Sequence, residues 1–325
     1  MKLPRRAFLR LAAGAIALPA LPRIASALDY PSRPVRIVVG LGASSASDIL
    51  ARLIGQRLSE RLGQPFVIEN RPGASGRLAV EAVARASADG YTLLLYTVAD
   101  AVNAALNDKL NFNFISDIVP VAGIARGPFV LVAHPSFPAK TVAEFIAYAK
   151  ANPGKISFGS AGTGTVAHLA GELFKMKAGV NMVHVPYHGL PRALIDLMGG
   201  QVQAVFSTLP PAIGHIRAGK LRALAVTSTT RSEALPDVPT MGDFLPGYEA
   251  SYSNGLGAPK NVPAEIVDRL NTETNAWLTD PKTKARLVEL GALPMPMTSA
   301  DFGKFLAAET EKWGKVIRAA NIKLG

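Results

Sequence analysis

The stretch VRIVVGLGASSASDILARLIGQRL, residues 35–58, changes character twice. Val35–Val39 is β-branched except at Arg36, as expected of a strand buried in a parallel sheet. Residues 40–48, GLGASSASD, are small and hydroxyl-rich. From Ser47 to Leu62 apolar residues return at helical spacing. Strand, small-residue loop and helix together form the repeating unit of an open α/β sheet. Ligands there sit at the carboxyl ends of strands, facing the N–H groups of the following helix. The dinucleotide fingerprint is missing, because Ser45 stands where the third glycine of G-x-G-x-x-G belongs. Either the loop holds an anion, or its serines simply cap the helix, with Asp48 in the first turn answering the helix dipole.

Working outward, strand and helix patterns alternate. Phe66–Glu69 reads as strand and Arg77–Arg85 as helix; Tyr91–Tyr96 reads as strand and Ala99–Leu106 as a short helix. That βαβαβα order calls for a parallel sheet covered by helices. SDIVPVAGIARGPFVLVAHP, residues 116–135, reads as strands broken at Gly123, Gly127 and Pro128. A second series follows: helix Thr141–Lys150, strand Ile156–Phe158, helix Thr165–Lys177, strand Met182–Val185, helix Pro191–Met198, strand Gln203–Phe206, helix Pro210–Ala218 and strand Leu221–Thr227. Gly247–Pro263 reads as an extended return, before helices at Ala264–Thr279, Pro281–Leu290 and Ala300–Ala320. The expectation is an α/β protein of two lobes with a hinge and a central cleft. Lobe 1 covers 28–125 and lobe 2 covers 126–228, and 229–325 returns to lobe 1 and adds the C-terminal helices.

Residues 1–27 read as an export signal outside the fold. A basic start and an apolar run from Leu11 to about Leu21 precede Ala25-Ser26-Ala27, a cleavage site of A-x-A type. The run is too short to span a bilayer. Arg5-Arg6 before Ala7-Phe8-Leu9-Arg10 resembles a twin-arginine signal, with Pro4 where Ser or Thr is usual; a general secretory signal with two arginines is the alternative. The expected location is the periplasm. The chain of 325 residues has a formal charge of +11 and no cysteine. Disulfides, thiolate metal sites and Cys nucleophiles are therefore excluded. Removing Lys2, Arg5, Arg6, Arg10 and Arg23 leaves 30 basic against 24 acidic residues, a net +6. The remaining Lys and Arg are scattered, which argues against nucleic acid as a partner.

A second anion-friendly loop lies in FGSAGTGTVAHLAGELF, residues 158–174. Ser160, Gly162, Thr163, Gly164 and Thr165 offer backbone and hydroxyl donors before a helix, and His168 lies one turn in. A structural role for His168 is the plainer reading. Two such loops, one per lobe, would face each other across a cleft. Gly214–Lys220 spells G-x-x-x-x-G-K, but Leu221 follows where Ser or Thr must bind magnesium, and the order is helix to strand. It reads as a helix C-cap. Neither G-x-S-x-G nor H-E-x-x-H occurs. His184 and His188 are four apart, but Pro186 between them precludes a shared helical face for metal. No catalytic residue, cofactor or metal is expected.

YPSRPVRIVVG, LSERLGQPFVIENRPGASG, DGYTLLL, SFGSAGTGTVAHLAGELF, HVPYHGLPRALIDLMGGQVQAVF, AGKLRALAVTS and LPDVPT follow in this order from Tyr30. Together these segments resemble the Bug family, the extracytoplasmic receptors of tripartite tricarboxylate transporters, over roughly Tyr30–Lys323. The resemblance implies a type II periplasmic binding protein fold, a small organic carboxylate as ligand, and membrane transporter subunits as partners. It places ligand contacts at Leu41–Asp48 (Leu41, Ala43, Ser44, Ser45, Ser47 and Asp48) and at Ser160–Thr165 with His168. Further contacts fall at the loop beginning at Thr97 and at Tyr187. Departures from the family pattern matter too. Ser44 and Ser45 stand where the first loop commonly has glycines. Ser207 replaces a common Asp, which makes an ammonium-bearing ligand a poorer fit. Arg77 replaces an uncharged residue, and either pairs with a second ligand carboxylate or is a solvated helix residue.

Three functions remain open at this stage. The leading one is a monomeric, non-enzymatic receptor that clamps a mono- or dicarboxylate and delivers it to a transporter. A sensing subunit would use the same clamp. An esterase-like enzyme with Ser44 or Ser45 and His168 lacks any recognisable third group to orient the histidine.

Overall fold

The computed structural model describes residues 30–73, 76–105 and 114–322; the proposed export signal lies outside them. Eleven α-helices, a short 3-10 helix at Met241–Asp243 and ten strands run through these residues. β1 (Val35–Val39) lies between β2 (Phe66–Asn70) and β3 (Thr92–Thr97), all parallel. α1 (Ala46–Leu62) and α2 (Arg77–Ala84) make the crossovers, and α3 (Val98–Ala105) follows β3. α1 buries Leu50, Ile54 and Leu58, one face at i, i+4, i+8, each at most 2% exposed.

After the short α4 (Phe114–Asp117), one long strand joins two half-sheets. β4 runs unbroken from Ile118 to Ala133. Ile118–Pro128 pairs antiparallel with β9 (Ser251–Pro259), which itself pairs with β3. Phe129–Ala133 pairs instead with β7 (Ala204–Thr208), and Val130–Ala133 with β8 (Arg222–Val226) on the other edge. β7 continues to β5 (Ser157–Ser160), and β5 to β6 (Val183–Pro186), both parallel. The order is β2-β1-β3-β9-β4-β7-β5-β6, with β8 and β10 (Leu293–Pro294) also on β4. Helices α5 (Val142–Ala151), α6 (Val166–Ala178), α7 (Leu190–Met198) and α8 (Leu209–Arg217) belong to the second half. α9 (Ala264–Thr279), α10 (Pro281–Glu289) and α11 (Ser299–Ala319) close the chain.

The breaks expected at Gly123, Gly127 and Pro128 do not occur. The strand absorbs its irregular residues in register shifts between Pro120 and Ala122 and between Gly123 and Ala125. Gly127 is a point of close approach: a Cβ there would lie 2.7 Å from the Gly291 carbonyl oxygen and 2.8 Å from the Tyr252 hydroxyl. Where the chain crosses between half-sheets, buried Thr227 ties the two crossings together. Its Oγ1 accepts from the Phe129 N–H at 2.7 Å and lies 2.5 Å from the Ala250 carbonyl oxygen. Its own N–H donates to the Phe129 carbonyl, and the Ala250 N–H donates to the Thr227 carbonyl.

Candidate functional site

Five helix N-termini open onto one cavity. α1 brings Ser45, Ala46 and Ser47, and the start of α3 brings Thr97, Ala99 and Asp100. α6 contributes Thr165, Val166 and Ala167, α7 Gly189 and Leu190, and α8 Thr208. Leu41 and Ala161 come from the preceding loops, and Phe129, Tyr252 and Asn254 from β4 and β9. The helices come from both half-sheets, so both halves aim partial positive charge at the same space.

The first loop is held from behind. Ser45 caps α1 by accepting from the Asp48 N–H at 3.2 Å. Asp48 is buried and faces away from the cavity wall: it accepts from the Ser44 N–H at 2.9 Å and pairs with Arg52 at 3.0 Å. Burial would raise its pKa. Hydrogen bonds from Arg52, Ser44 and Asn70, with the Arg52 charge, outweigh that and hold the carboxyl below its usual range. Ser44 takes φ 63, a left-handed conformation in which glycine would be at ease. The Asn70 side chain donates to the Leu41 carbonyl at 3.0 Å, and Ser47 Oγ accepts from Asn254 Nδ2 at 2.8 Å.

Behind the second loop stand two stacked histidines. The His168 and His184 rings lie 3.8 Å apart with 17° between their planes. Gly164 donates its N–H to His168 Nδ1 at 3.0 Å, leaving Nε2 toward Glu172 at 3.6 Å. His184 Nε2 lies 2.7 Å from Ser160 Oγ, which accepts from the Gly162 N–H at 3.1 Å. Thr165 Oγ1 donates to the Gly162 carbonyl at 2.7 Å. Burial, with the charges of His168 and Lys175, lowers the His184 pKa to about 3. Glu172 would be raised by burial, but bonds from His168 and Lys175 bring it below the ordinary value.

Of the residues singled out from sequence, Leu41, Ser45, Ser47, Thr97 and Thr165 line the cavity. Ala43 and Ser44 are exposed. Asp48, Ser160, Gly162, Gly164 and His168 shape the two loops from behind, and half-buried Thr163 sits between them. Arg77 opens α2 away from the lining, with its Nε buried and without a partner. Tyr187 turns its hydroxyl to Asp196 at 2.8 Å. Ser207 is fully buried and donates to the Thr208 carbonyl at 2.9 Å.

Sequence reasoning missed Asp100, Phe129, Thr208, Tyr252 and Asn254. A signal existed for Thr208. An N-cap threonine normally accepts from the N–H of the second or third helical residue. Those residues are Pro210 and Pro211, which have none. The Thr208 hydroxyl is buried with no partner, as are the Tyr252 hydroxyl and Asn254 Oδ1. Asp100 folds back on α3: its Oδ2 accepts from the Thr97 N–H at 2.7 Å and from Thr97 Oγ1 at 3.1 Å. Burial raises its pKa to about 6 against these two bonds. Among the described residues no group of three His, Asp or Glu could hold a metal ion, and no helix is long and apolar enough to cross a membrane.

Residues 50–322 match the model of the tripartite tricarboxylate transporter family receptor. Protein BugT of Bordetella pertussis is 36% identical over 302 residues, covering 92% of this chain and 93% of that protein. A UPF0065 protein from the TAR-I ttuE-ttuC' intergenic region of Agrobacterium vitis is 38% identical over 305 residues, covering 92% and 88%. Among solved structures, R. palustris Rpa4515 with adipate superposes with a TM-score of 0.87 at 38% identity, covering 90% of this chain and 99% of the other. MatC from Rhodopseudomonas palustris with bound malate gives 0.83 at 32% identity, covering 89% and 100%. Those relatives share the two-lobed α/β fold of periplasmic binding proteins, in which β4 joins the two half-sheets here. The chain belongs to the tripartite tricarboxylate transporter family of receptors, periplasmic binding proteins rather than enzymes.

Proposed function

We propose that this protein captures a small organic mono- or dicarboxylate between its two halves and delivers it to membrane transporter subunits. The observation that carries the reading is the convergence of five helix N-termini on one cavity. Each directs the positive end of its dipole there, and charge-assisted bonds from the backbone N–H groups available at these ends to a carboxylate contribute roughly 1.5–3 kcal/mol each. Adipate and malate in two relatives support the ligand class. In this reading Leu41, Ser45, Ser47, Thr97 and Thr165 touch the ligand. Ala43, Ser44, Asp48 and Arg77 shape one side, and Ser160, Gly162, Thr163, Gly164, His168 and Tyr187 the other; Ser207 holds the Thr208 backbone. The lobes run 28–125, 126–228 and back through 229–325. Residues 1–27 direct export, by a twin-arginine-like signal, and the mature protein works as a monomer.

Isothermal titration against a library of mono-, di- and tricarboxylates tests the capture step. One-to-one binding without turnover is expected; silence from every organic anion would refute it. Crosslinking the loaded receptor to its membrane partner in intact cells tests delivery. Recovery of a kinase in place of a permease would assign the clamp to sensing.

A further inference from the structure

Resting on that carboxylate reading, we infer that the ligand also carries a hydrogen-bond donor, a hydroxyl or an ammonium group, which binds between Asp100 and Asn254. Both sides of the cavity carry helix N-termini, but they differ in the side chains that stand beside them. On the second half, the α6 and α7 N-termini supply backbone N–H groups, and α8, whose second and third residues are prolines, adds the unpartnered Thr208 hydroxyl. The N–H groups are donors and the hydroxyl can donate, so this side suits a carboxylate.

On the first half, acceptor side chains stand beside the α1 and α3 N-termini at the end of β3. Thr97 and Asn254 face each other as register partners on β3 and β9. Asp100, one turn along, is bonded to Thr97 and lines the cavity. Asn254 is 1% exposed; its Nδ2 is committed to Ser47 Oγ at 2.8 Å, so its Oδ1 is the atom left over. A buried acceptor without a donor is costly, and a carboxylate offers none. A carboxylate placed here would also meet the charge of Asp100. A hydroxyl or ammonium group would give Asn254 Oδ1 its missing donor, and an ammonium group would also answer the charge of Asp100. Asp100 thus restores to the cleft an acidic group that Ser207 does not supply, from the opposite half. The Tyr252 hydroxyl, buried beside Asn254 on the same strand, can donate or accept and fits either ligand.

Matched ligand series test this on the purified protein by isothermal titration: succinate, malate and aspartate; glutarate, 2-hydroxyglutarate and glutamate; adipate, 2-hydroxyadipate and 2-aminoadipate. In at least one series a donor-bearing member should bind about 10- to 100-fold more tightly than its parent diacid. Asn254→Ala should shrink that ratio toward one, with the parent diacid changed little. Asp100→Asn separates the two donors: it should abolish a preference for ammonium and largely spare a preference for hydroxyl. Thermal unfolding of each variant reports its folding, and the wild-type series stands even if a variant fails. Parent diacids binding as tightly as their substituted partners would overturn the inference while leaving the carboxylate reading intact. Asn254→Ala weakening parent and substituted ligands equally would overturn it too, by assigning the amide to the carboxylate. Silence from all nine compounds would overturn the inference for dicarboxylates, and silence from the matched 2-hydroxy and 2-amino monocarboxylates and their parents as well would overturn both readings.

Discussion

Acidification from pH 7 to pH 5 should leave the stability of the ligand-free protein nearly unchanged, because two buried groups oppose each other. His184 is held neutral, with a pKa of about 3 in the folded protein against 6.5 in the unfolded chain. As pH falls below 6.5 the unfolded chain takes up the proton and the folded protein does not, so stability falls. At 1.36 kcal/mol per pKa unit over about 1.5 pH units, the loss at pH 5 approaches about 2 kcal/mol. His184 is part-exposed, and solvent screening brings the figure nearer 1 kcal/mol. Asp100 acts in the other direction. Its folded pKa of about 6 exceeds the ordinary 3.8. Between those values the folded protein binds the proton first, and acidification to pH 5 stabilises by about 1 kcal/mol. Single variants separate the two effects. His184→Gln keeps a partner for Ser160 and removes the titration, so it should gain about 1 kcal/mol on going from pH 7 to pH 5. Asp100→Asn should lose about 1–2 kcal/mol over the same interval. Urea denaturation at both pH values, with m held constant, reads the differences. If His184→Gln and the wild type show the same change with pH, the stacked pair does not hold His184 neutral and the account is wrong.

Other substitutions probe the frame around the site. A Cβ on Gly255 would lie 2.0 Å from Phe302 Cζ and 2.8 Å from the Ala122 carbonyl oxygen; Gly255→Ala should cost about 1–3 kcal/mol in urea denaturation, and wild-type stability would show that α11 gives way freely. Thr227→Val removes the hydroxyl that accepts from the Phe129 N–H and leaves that buried donor unpaired. A loss of about 1–3 kcal/mol is expected, and a thermal midpoint equal to wild type would mean the crossings hold without it. Ser45→Ala removes the α1 cap, at about 1 kcal/mol, and should weaken every carboxylate ligand alike; an effect confined to one ligand would make Ser45 a specificity residue. Replacing Ser44 and Ser45 together by glycine relieves the left-handed strain at 44 and strips both hydroxyls. The fold should persist, read by circular dichroism, while ligand affinities change in a titration panel; unchanged affinity for every ligand would remove both hydroxyls from the site.

Most of the element order was legible because period is a local property. Helix 264–279 has the same bounds from pattern and from structure, and α1, α6 and α11 shift by a single residue. The long strand β4 was not legible, because Gly123, Gly127 and Pro128 look like breaks until their neighbours are known. What matters at Gly127 is the Gly291 carbonyl packed against it, from a residue 164 positions away in the chain. The same limit applies at the cavity. Loop residues such as Ser45, Thr97 and Thr165 announce themselves as small polar groups before helices. Asn254 sits inside a strand among SYSNGLGAP, and only the pairing of β9 with β3 shows that it meets Thr97.

The placement of Phe129, Tyr252 and Asn254 has a mechanical consequence. All three belong to β4 and β9, the strands common to both half-sheets or adjoining the crossing, and all three line the cavity. The Phe129 and Tyr252 rings meet edge to face at 5.9 Å, and Phe129 is also the residue whose N–H and carbonyl are tied to Thr227. A ligand in this cavity therefore contacts the same residues that set how one half is joined to the other. Its remaining contacts are divided between α1 and α3 on one side and α6, α7 and α8 on the other. Interactions that need both sides at once are strongest when the halves are closest, so ligand binding favours closure by as much as its affinity differs between open and closed forms. The Thr227 ties resist any closure that changes the geometry at Phe129. Thr227→Val should for that reason alter ligand affinity as well as stability, although Thr227 does not line the cavity. Scattering from the free and ligand-saturated variant would show the effect as a changed difference in radius of gyration. A difference equal to that of wild type, with equal affinity, would mean that the halves move about some other point.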